Sequence, residues 1–449
     1  MTSPAAAALR PASRGPIERL LGLFADVERG EGVTALLLTL NVYLLLTTYY
    51  IIKPVREALI LAGGGAEVKS YAAFLTALLL LLFVPQYARL ASRLPRRRLI
   101  NSVTLFFAAC LVAFWALARA KVPHLGVAFF LWVGIFNMSV IAQFWSFAND
   151  VYTPAQGKRL FAIVAFGASL GAVSGSWIAG QLIGPLGVTE MLLVAAGILV
   201  ASLGLTNAID RRERARPTED SAPTEPLGGS GAFDLVRKNR YLLRIAMLML
   251  VLNCVNTTGE YILGKVVSTT AAERVAAGTS GGLSEGQWIG KFYADFFTVV
   301  NVVGLLTQLF LVSRVLKYLG VRTALLFLPV IAFGGYLLLA FYPALAFVRW
   351  AKTAENAADY SIQNTVRNVL FLPTTREQKY KAKQAIDTFF VRMGDGLSAL
   401  LVFVGTGYLG FHASQFAMVN LALVVAWILL AVAVGRQNAQ LMKTGESDH

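Results

Sequence analysis

The sequence predicts an all-α membrane protein of about twelve transmembrane helices in two six-helix pseudo-repeats, and three observations carry that expectation. Apolar stretches of spanning length recur along most of the 449 residues. Basic residues gather in alternate connections between them. A polar segment cuts the chain near its middle, and the pattern before it is repeated after it.

Hydrophobic residues make up 56% of the chain and charged residues only 14%, a balance that would coat a soluble protein of this length in exposed apolar surface. Stretches such as LLLTLNVYLLLTTYYII, LLVAAGILVASLGL and NLALVVAWILLAVAV approach or reach the length that crosses a hydrocarbon core of about 30 Å. Lipid is therefore the expected solvent. The spans read as 33–62, 69–94, 99–119, 123–149, 159–183, 187–209, 240–267, 287–315, 321–342, 345–370, 383–409 and 414–436.

The connections alternate in charge. YARLASRLPRRRL, TPAQGKRL, DRRERARPTED, SRVLKYLGVR, PTTREQKYKAK and GRQNAQLMK hold most of the loop Lys and Arg, whereas LAGGGAEVKS, GPLGVTE, FYPALAF and YLGFHASQ are nearly free of them; ARAKVPH is mixed. Basic loops stay in the cytoplasm, so both termini are placed there, in a multi-pass protein of a bacterial inner (cell) membrane. The same bias accounts for the formal charge of +15 without nucleic acid as a partner.

Five segments follow. Residues 1–32 form a cytoplasmic amphipathic segment, with Ile17, Leu20, Leu21, Phe24 and Val27 at helical spacing and no cleavable signal peptide. Two six-helix bundles occupy 33–209 and 240–436. Between them 210–239, with RPTEDSAPTEPLGGSG at its centre, reads as a flexible cytoplasmic linker, and 437–449 is a cytoplasmic tail. The halves echo each other: YARLASRLPRRRLI is matched by LVSRVLKYLGVRTAL, and Lys158 to Gly171 has the spacing of Lys383 to Gly396. Parallel repeats of this kind are the layout of major-facilitator-like transporters, whose cargo site lies between the halves near mid-bilayer.

Several chemistries have no support. Cys110 and Cys254 sit in apolar segments, the histidines (His124, His412, His449) fall in loops and the tail, and no GxxxxGK[ST] is present. No metal, cofactor or catalytic set is expected, and the chain is not read as an enzyme. The Gly-rich runs GASLGAVSGS and GDGLSALLVFVGTG read as close-packing helix surfaces rather than phosphate cradles.

An ionisable side chain inside a span costs about 2.5–3.5 kcal/mol on insertion scales, so clusters of them face a cavity or one another. The first span carries Lys53, Arg56 and Glu57 beside Pro54, three and four residues apart on one face; Lys53 either faces the cavity or snorkels. The seventh carries Asn253, Asn256, Glu260 and Lys265. The tenth is the most polar, with Arg349, Lys352, Glu355, Asp359, Asn364 and Arg367; Lys352 and Glu355 have an intrahelical pairing distance, so part of this set is scaffold. In the eleventh, Lys383 and Asp387 lie one turn apart and Arg392 lies near Asp395, while Lys379, Lys381 and Lys383 read either as topology signals or as phosphate-attracting groups at the inner mouth. Lys53, Arg56, Glu57, Glu260, Lys352, Glu355, Asp359, Arg367, Lys381, Lys383, Asp387 and Arg392 are the candidate substrate-binding residues.

These stretches resemble the nonmitochondrial ATP/ADP translocase family, the NTP/NDP exchangers of plastids and obligate intracellular bacteria, within the wider major facilitator group. The best match is DYSIQNTVRNVLFLPTTREQKYKAKQAID, ending in Lys379, Lys381, Lys383, Ala385, Ile386 and Asp387. IIKPVREALIL places Lys53, Arg56 and Glu57 on the family's first-helix signature, with Arg for lysine at 56. FWSFANDVYTPAQGKRLF, and Glu260 with Lys265, are similar to its fourth- and seventh-helix patterns. The resemblance implies nucleotide exchange, with Arg56, Glu260 and a lysine near 381–383 as important charges. Two positions depart: residues 133–137 lack the family's fourth-helix glutamate, and Asp359 stands where the family has lysine. A divergent bacterial member is the reading.

The expected mechanism is alternating access around a nucleotide or similar anionic small molecule, with Lys53 and Arg56 facing the second half. Exchange is strict if the empty site cannot close on unpaired basic residues. The alternatives are a proton-coupled carrier of another organic anion, using Glu57, Glu260, Asp359 or Asp387, and a membrane scaffold or sensor that transports nothing.

Overall fold

The structure, a computed structural model, describes residues 18, 26–28, 30–214, 232–375 and 377–446. Most of the residues expected to form the N-terminal amphipathic helix, the centre of the linker and His449 lie outside them; Val27 is described and is fully buried.

The first half begins with α1 (Gly32–Arg93), a helical run of 62 residues that is bent at Gly65, where φ is 79°. That backbone conformation suits glycine, which has no Cβ to clash. The run is far longer than the roughly 20 residues one crossing needs, and the bend divides it into two crossings, one before Gly65 and one after it. α2 (Arg96–Arg119), α3 (Leu125–Val151), α4 (Pro154–Leu186) and α5 (Met191–Arg214) complete the half. α4 starts on a full capping box: Thr153 accepts from the Gln156 amide, Gln156 reaches back, and Pro154 takes the first turn.

The second half follows the short α6 (Ala232–Lys238). It contains α7 (Arg240–Ala276), α8 (Glu285–Phe310), α9 (Val312–Tyr318) and α10 (Gly320–Phe341), then a segment from α11 (Leu345–Ala358) through a π-helical turn (Asp359–Gln363) into α12 (Asn364–Val369). Two further π turns, Gln378–Ala382 and Ile386–Phe390, flank α13 (Lys383–Ala385) and lead into α14 (Val391–Gly407), and α15 (Ala413–Glu446) ends the described chain. Among the described residues, ten helices are long and apolar enough to cross a membrane. The second crossing of α1 and the polar run from α11 to α12 bring the transmembrane segments to about twelve.

Several element ends differ from the sequence reading. The stretch expected as linker at 210–239 is helical at both margins, since α5 runs to Arg214 and α6 occupies Ala232–Lys238. α7 continues to Ala276 and α15 to Glu446. The span expected at 287–315 is divided at Leu311 into α8 and α9. Hydropathy marks where lipid ends, whereas helices continue until a cap or a turn residue stops them.

The glycine stripe of α4 sets the packing of the first half. A Cβ at Gly167, Gly171 or Gly175 would strike Thr39, the Tyr43 carbonyl or the Thr47 carbonyl of α1, so the four-residue spacing lets the two backbones touch. The halves meet from mid-bundle to the end bearing Gly65, Gly187 and the 277–284 loop. There Glu67 accepts from Lys265 at 2.7 Å and from the Tyr261 hydroxyl at 3.1 Å. Gln287 donates to the Gly184 carbonyl, and Tyr71 packs edge-on to Phe403. Nearer the middle, Asn301 donates to the Ala172 carbonyl at 3.2 Å. The end opposite Gly65 carries the basic connections.

Candidate functional site

Between the halves lies a cavity of about 390 Å³, lined on one side by Lys53 and Arg56 of the first crossing and Lys69 of the second. Glu260 of α7, Asn356 of α11 and Arg392 of α14 face them. The elements explain the convergence. Pro54 cannot donate to the carbonyl of Tyr50, so the helix is weakest beside Lys53 and Arg56. α11 has an apolar side and a polar side, and the polar side can only meet protein or a cavity.

Lys53 is almost fully buried but forms no ion pair within 4 Å among the described residues. Its ammonium group donates to the Tyr360 hydroxyl at 3.4 Å and lies over the rings of Phe297 (3.9 Å), Tyr50 (5.2 Å) and Tyr360 (5.7 Å). Aromatic faces attract a cation when water is excluded, and this cage joins the first crossing to α8 and the π turn of the second half.

The other charges are paired. Arg56 is hydrogen-bonded to Glu57 and stacks on Phe130 at 4.6 Å. Glu57, 1% exposed, also pairs with Lys69 at 2.7 Å. Lys69 reaches on to Glu260 at 3.8 Å. Glu260 accepts from Asn356 at 3.1 Å and lies 3.6 Å from Lys352. Lys352, 1% exposed, pairs with Glu355 at 3.0 Å and donates to Asn256 at 2.9 Å, while Tyr336 donates to Glu355 at 3.0 Å. Arg392 pairs with Asp395 at 3.1 Å, and Thr257 donates to the same carboxylate at 2.7 Å. The result is a chain of alternating charge from Arg56 across the seam to Glu355, with a separate pair on α14.

Of the residues singled out from sequence, Lys53, Arg56, Glu260 and Arg392 line the cavity, while Glu57, Lys352 and Glu355 stand directly behind its wall. Asp359 opens the π turn after α11 and is not among the lining residues. Arg367, Lys381, Lys383 and Asp387 form a second group toward the basic end. Arg367 donates to Asp387 at 3.0 Å, Lys381 pairs with Glu377 at 3.1 Å, and Lys383 donates to Asn368 at 2.7 Å. The intrahelical pairing expected of Lys383 with Asp387 is thus replaced by cross-element partners. The π turn Ile386–Phe390 carries i→i+5 bonds and interrupts the α-helical register between Lys383 and Asp387, while Lys381 and Glu377 still pair four residues apart.

Lys69 escaped the sequence reading because LAGGGAEVKS looks like a loop, yet the helix resumes immediately after Gly65. The apolar run that continues behind Lys69 was the available signal. Tyr50, Phe297 and Tyr360 carried none, since aromatics at helical spacing are ordinary core residues.

Among the described residues no group of three or more His, Cys, Asp or Glu side chains could hold a metal ion. Residues 34–356 match the model of the Major Facilitator Superfamily. This chain belongs to that superfamily. Among its similar proteins is ADP,ATP carrier protein 1 of Chlamydia pneumoniae, 21% identical with 94% of each chain covered. A second is ADP,ATP carrier protein 1 of Chlamydia trachomatis, 23% identical over 66% of this chain and 61% of that one. Among solved structures, the nucleoside transporter NupG is matched with a TM-score of 0.59 at 13% identity, over 89% of this chain and 98% of that one. A bacterial homolog of the human lysosomal transporter Spinster, in an inward-facing and unoccupied conformation, is matched with a TM-score of 0.57 at 15% identity, over 91% and 97%. These structural likenesses bear on the fold alone. As a major facilitator protein the chain is a multi-pass membrane transporter rather than an enzyme, and a cavity between two bundles is where such a protein is expected to take its cargo.

Proposed function

We propose that this major facilitator protein exchanges nucleotides, ATP and ADP being the favoured pair, by alternating access. It would do so in a bacterial cell membrane with both termini cytoplasmic. The observation that carries the reading is Lys53: a buried cation at the seam of the halves, held by rings and a hydroxyl rather than a carboxylate, is available to an anionic cargo. Arg56 and Lys69 stand beside it on the same wall. Phosphate oxygens accept short, charge-assisted hydrogen bonds from such groups. The rings of Phe297 and Tyr360, which line the same cavity, offer apolar surface to a base or sugar.

The resemblance in the first, tenth and eleventh spans and the similarity to carriers named for ADP and ATP support nucleotide as the class. In this scheme the bundles at 33–209 and 240–436 rock about the cavity. The Glu67–Lys265 contact parts as the Gly65 end opens, and the Arg367, Lys381, Lys383 and Asp387 group guards the basic end.

The test is uptake of labelled ATP and ADP into liposomes holding the purified protein and preloaded with unlabelled nucleotide. Uptake that disappears in Arg56→Ala supports the reading. Absence of uptake from folded, inserted wild-type protein refutes it.

A further inference from the structure

The contacts of α15 fix which way its last turns face. Asn438 points into the second half, donating to the Tyr241 hydroxyl at 2.8 Å. Gly435 lies against α10, where an added Cβ would come within 3.0 Å of the Arg322 stem. Gln437 meets α7, accepting from Arg244 at 2.7 Å. Successive residues of an α-helix are about 100° apart, so Arg436 stands about 200° from Asn438, on the side of α15 turned away from the bundle. It is exposed, as are Arg244 and Arg322. Three guanidinium groups from α7, α10 and α15 thus rim one outer face of the bundle at its basic end.

The same face of α15 is apolar further along. Met418, Val425 and Leu429 are exposed and stand whole turns of the helix from one another and from Arg436. The rise from Met418 to Arg436 is about 27 Å, close to the hydrocarbon thickness of about 30 Å, which sets Arg436 at the level of the lipid phosphates. The charge there is uncompensated. At the basic end of the first half, Arg96 is met by Asp210 at 3.0 Å and by Asp150 at 3.5 Å. Among the described residues no carboxylate pairs with Arg244, Arg322 or Arg436, and the acceptor of Arg244 is the neutral Gln437 amide.

We infer that this face holds one anionic phospholipid from the leaflet at the basic end, with its phosphate on Arg322 and Arg436 and its acyl chains along the stripe of Met418, Val425 and Leu429. The planar guanidinium fork matches phosphate oxygens. A surplus of three cations selects a headgroup of net negative charge over a zwitterionic one, whose own ammonium cancels the attraction. The stripe below the arginines selects a molecule with chains over a soluble anion. Seated there, the lipid ties together the ends of α7, α10 and α15.

The inference does not depend on the cargo. It is tested by thermal unfolding of the purified full-length protein in detergent, titrated with phosphatidylglycerol, with phosphatidylcholine of the same chains, or with inorganic phosphate. Phosphatidylglycerol should raise the melting temperature at a concentration about tenfold or more below that needed of phosphatidylcholine, and inorganic phosphate should not raise it. Equal protection by the two lipids overturns the inference. Protection by inorganic phosphate equal to that by phosphatidylglycerol identifies a soluble-anion site and overturns it too.

Two variants locate the effect. Arg322→Gln/Arg436→Gln should raise the half-saturating phosphatidylglycerol concentration about tenfold or more, whereas Arg93→Gln/Arg98→Gln, which removes the same charge from the basic end of the first half, should stay within about threefold of wild type. An equal effect of the two pairs means diffuse attraction to basic surface and overturns the inference. If the first pair does not fold, Arg436→Gln alone, a change at an exposed side chain, supplies the reading: an increase of about threefold or more is expected, and an unchanged titration overturns the inference.

Discussion

Replacing Lys352 by methionine removes one partner from the most deeply buried ion pair on α11. The lysine is 1% exposed and Glu355 is 5% exposed, with 3.0 Å between them. Breaking a pair buried to this degree costs about 3–5 kcal/mol, because the remaining charge is left in a medium that solvates it poorly. Glu355 keeps the Tyr336 hydroxyl at 3.0 Å, which places the expected loss for Lys352→Met near the lower limit, about 3 kcal/mol. The double substitution Lys352→Met/Glu355→Leu removes the stranded carboxylate. Tyr336 retains the Val255 carbonyl at 3.3 Å as an acceptor, and the double variant should recover about half of the loss or more. Reversible unfolding in mixed detergent micelles, read by tryptophan fluorescence, measures all three proteins. The reasoning is refuted if Lys352→Met costs less than about 1 kcal/mol, the scale of an exposed pair. It is equally refuted if the double variant is no more stable than the single one.

Two further perturbations test the packing and the seam. Gly171→Leu forces a side chain into the Tyr43 carbonyl of α1 and should cost about 1–3 kcal/mol or prevent folding, whereas Gly184→Ala, where nothing lies within 4 Å of an added Cβ, should leave the melting temperature nearly unchanged. Glu67→Gln weakens the contact with Lys265 and Tyr261 across the Gly65 end. Lys265 is 46% exposed, so the change is worth at most about 1 kcal/mol. Thiol labelling of Gly286→Cys, which faces Ala62 at 3.9 Å, should accelerate about fivefold at most in a background free of other cysteines; slower labelling would contradict a latch at this place.

Much of the architecture is legible in the sequence because lipid imposes a length and an apolar content on each crossing, and stretches such as NLALVVAWILLAVAV satisfy both. The glycine stripe of α4 is legible too: residues four apart share a face, and small ones there admit a second backbone. The polar character of the 345–370 span signals a cavity-facing helix, and Lys352 and Glu355 pair as their i,i+3 spacing suggests. Tertiary partners are not legible in the same way. Lys69 meets Glu57 and Glu260 only because α1 folds back at Gly65, and the Lys53 cage draws its rings from positions as far apart as Tyr50, Phe297 and Tyr360. Asp387 turns to Arg367 where α-helical spacing pointed to Lys383, because the π turn Ile386–Phe390 interrupts the register. A one-dimensional pattern reports which side chains share a helix face, not which face of another helix they meet.

Under the proposed function, anionic cargo binds in the cavity at Lys53 and not in the charged group at the basic end. Equilibrium binding of labelled ATP to the purified protein, compared among wild type, Lys53→Gln and Arg367→Gln, tests it most directly. Loss of one charge-assisted contact of about 1.5–3 kcal/mol weakens binding by about tenfold to a hundredfold. The account predicts that loss for Lys53→Gln, with Arg367→Gln remaining within about threefold of wild type. Full affinity in folded Lys53→Gln, or a larger loss in Arg367→Gln, would contradict it.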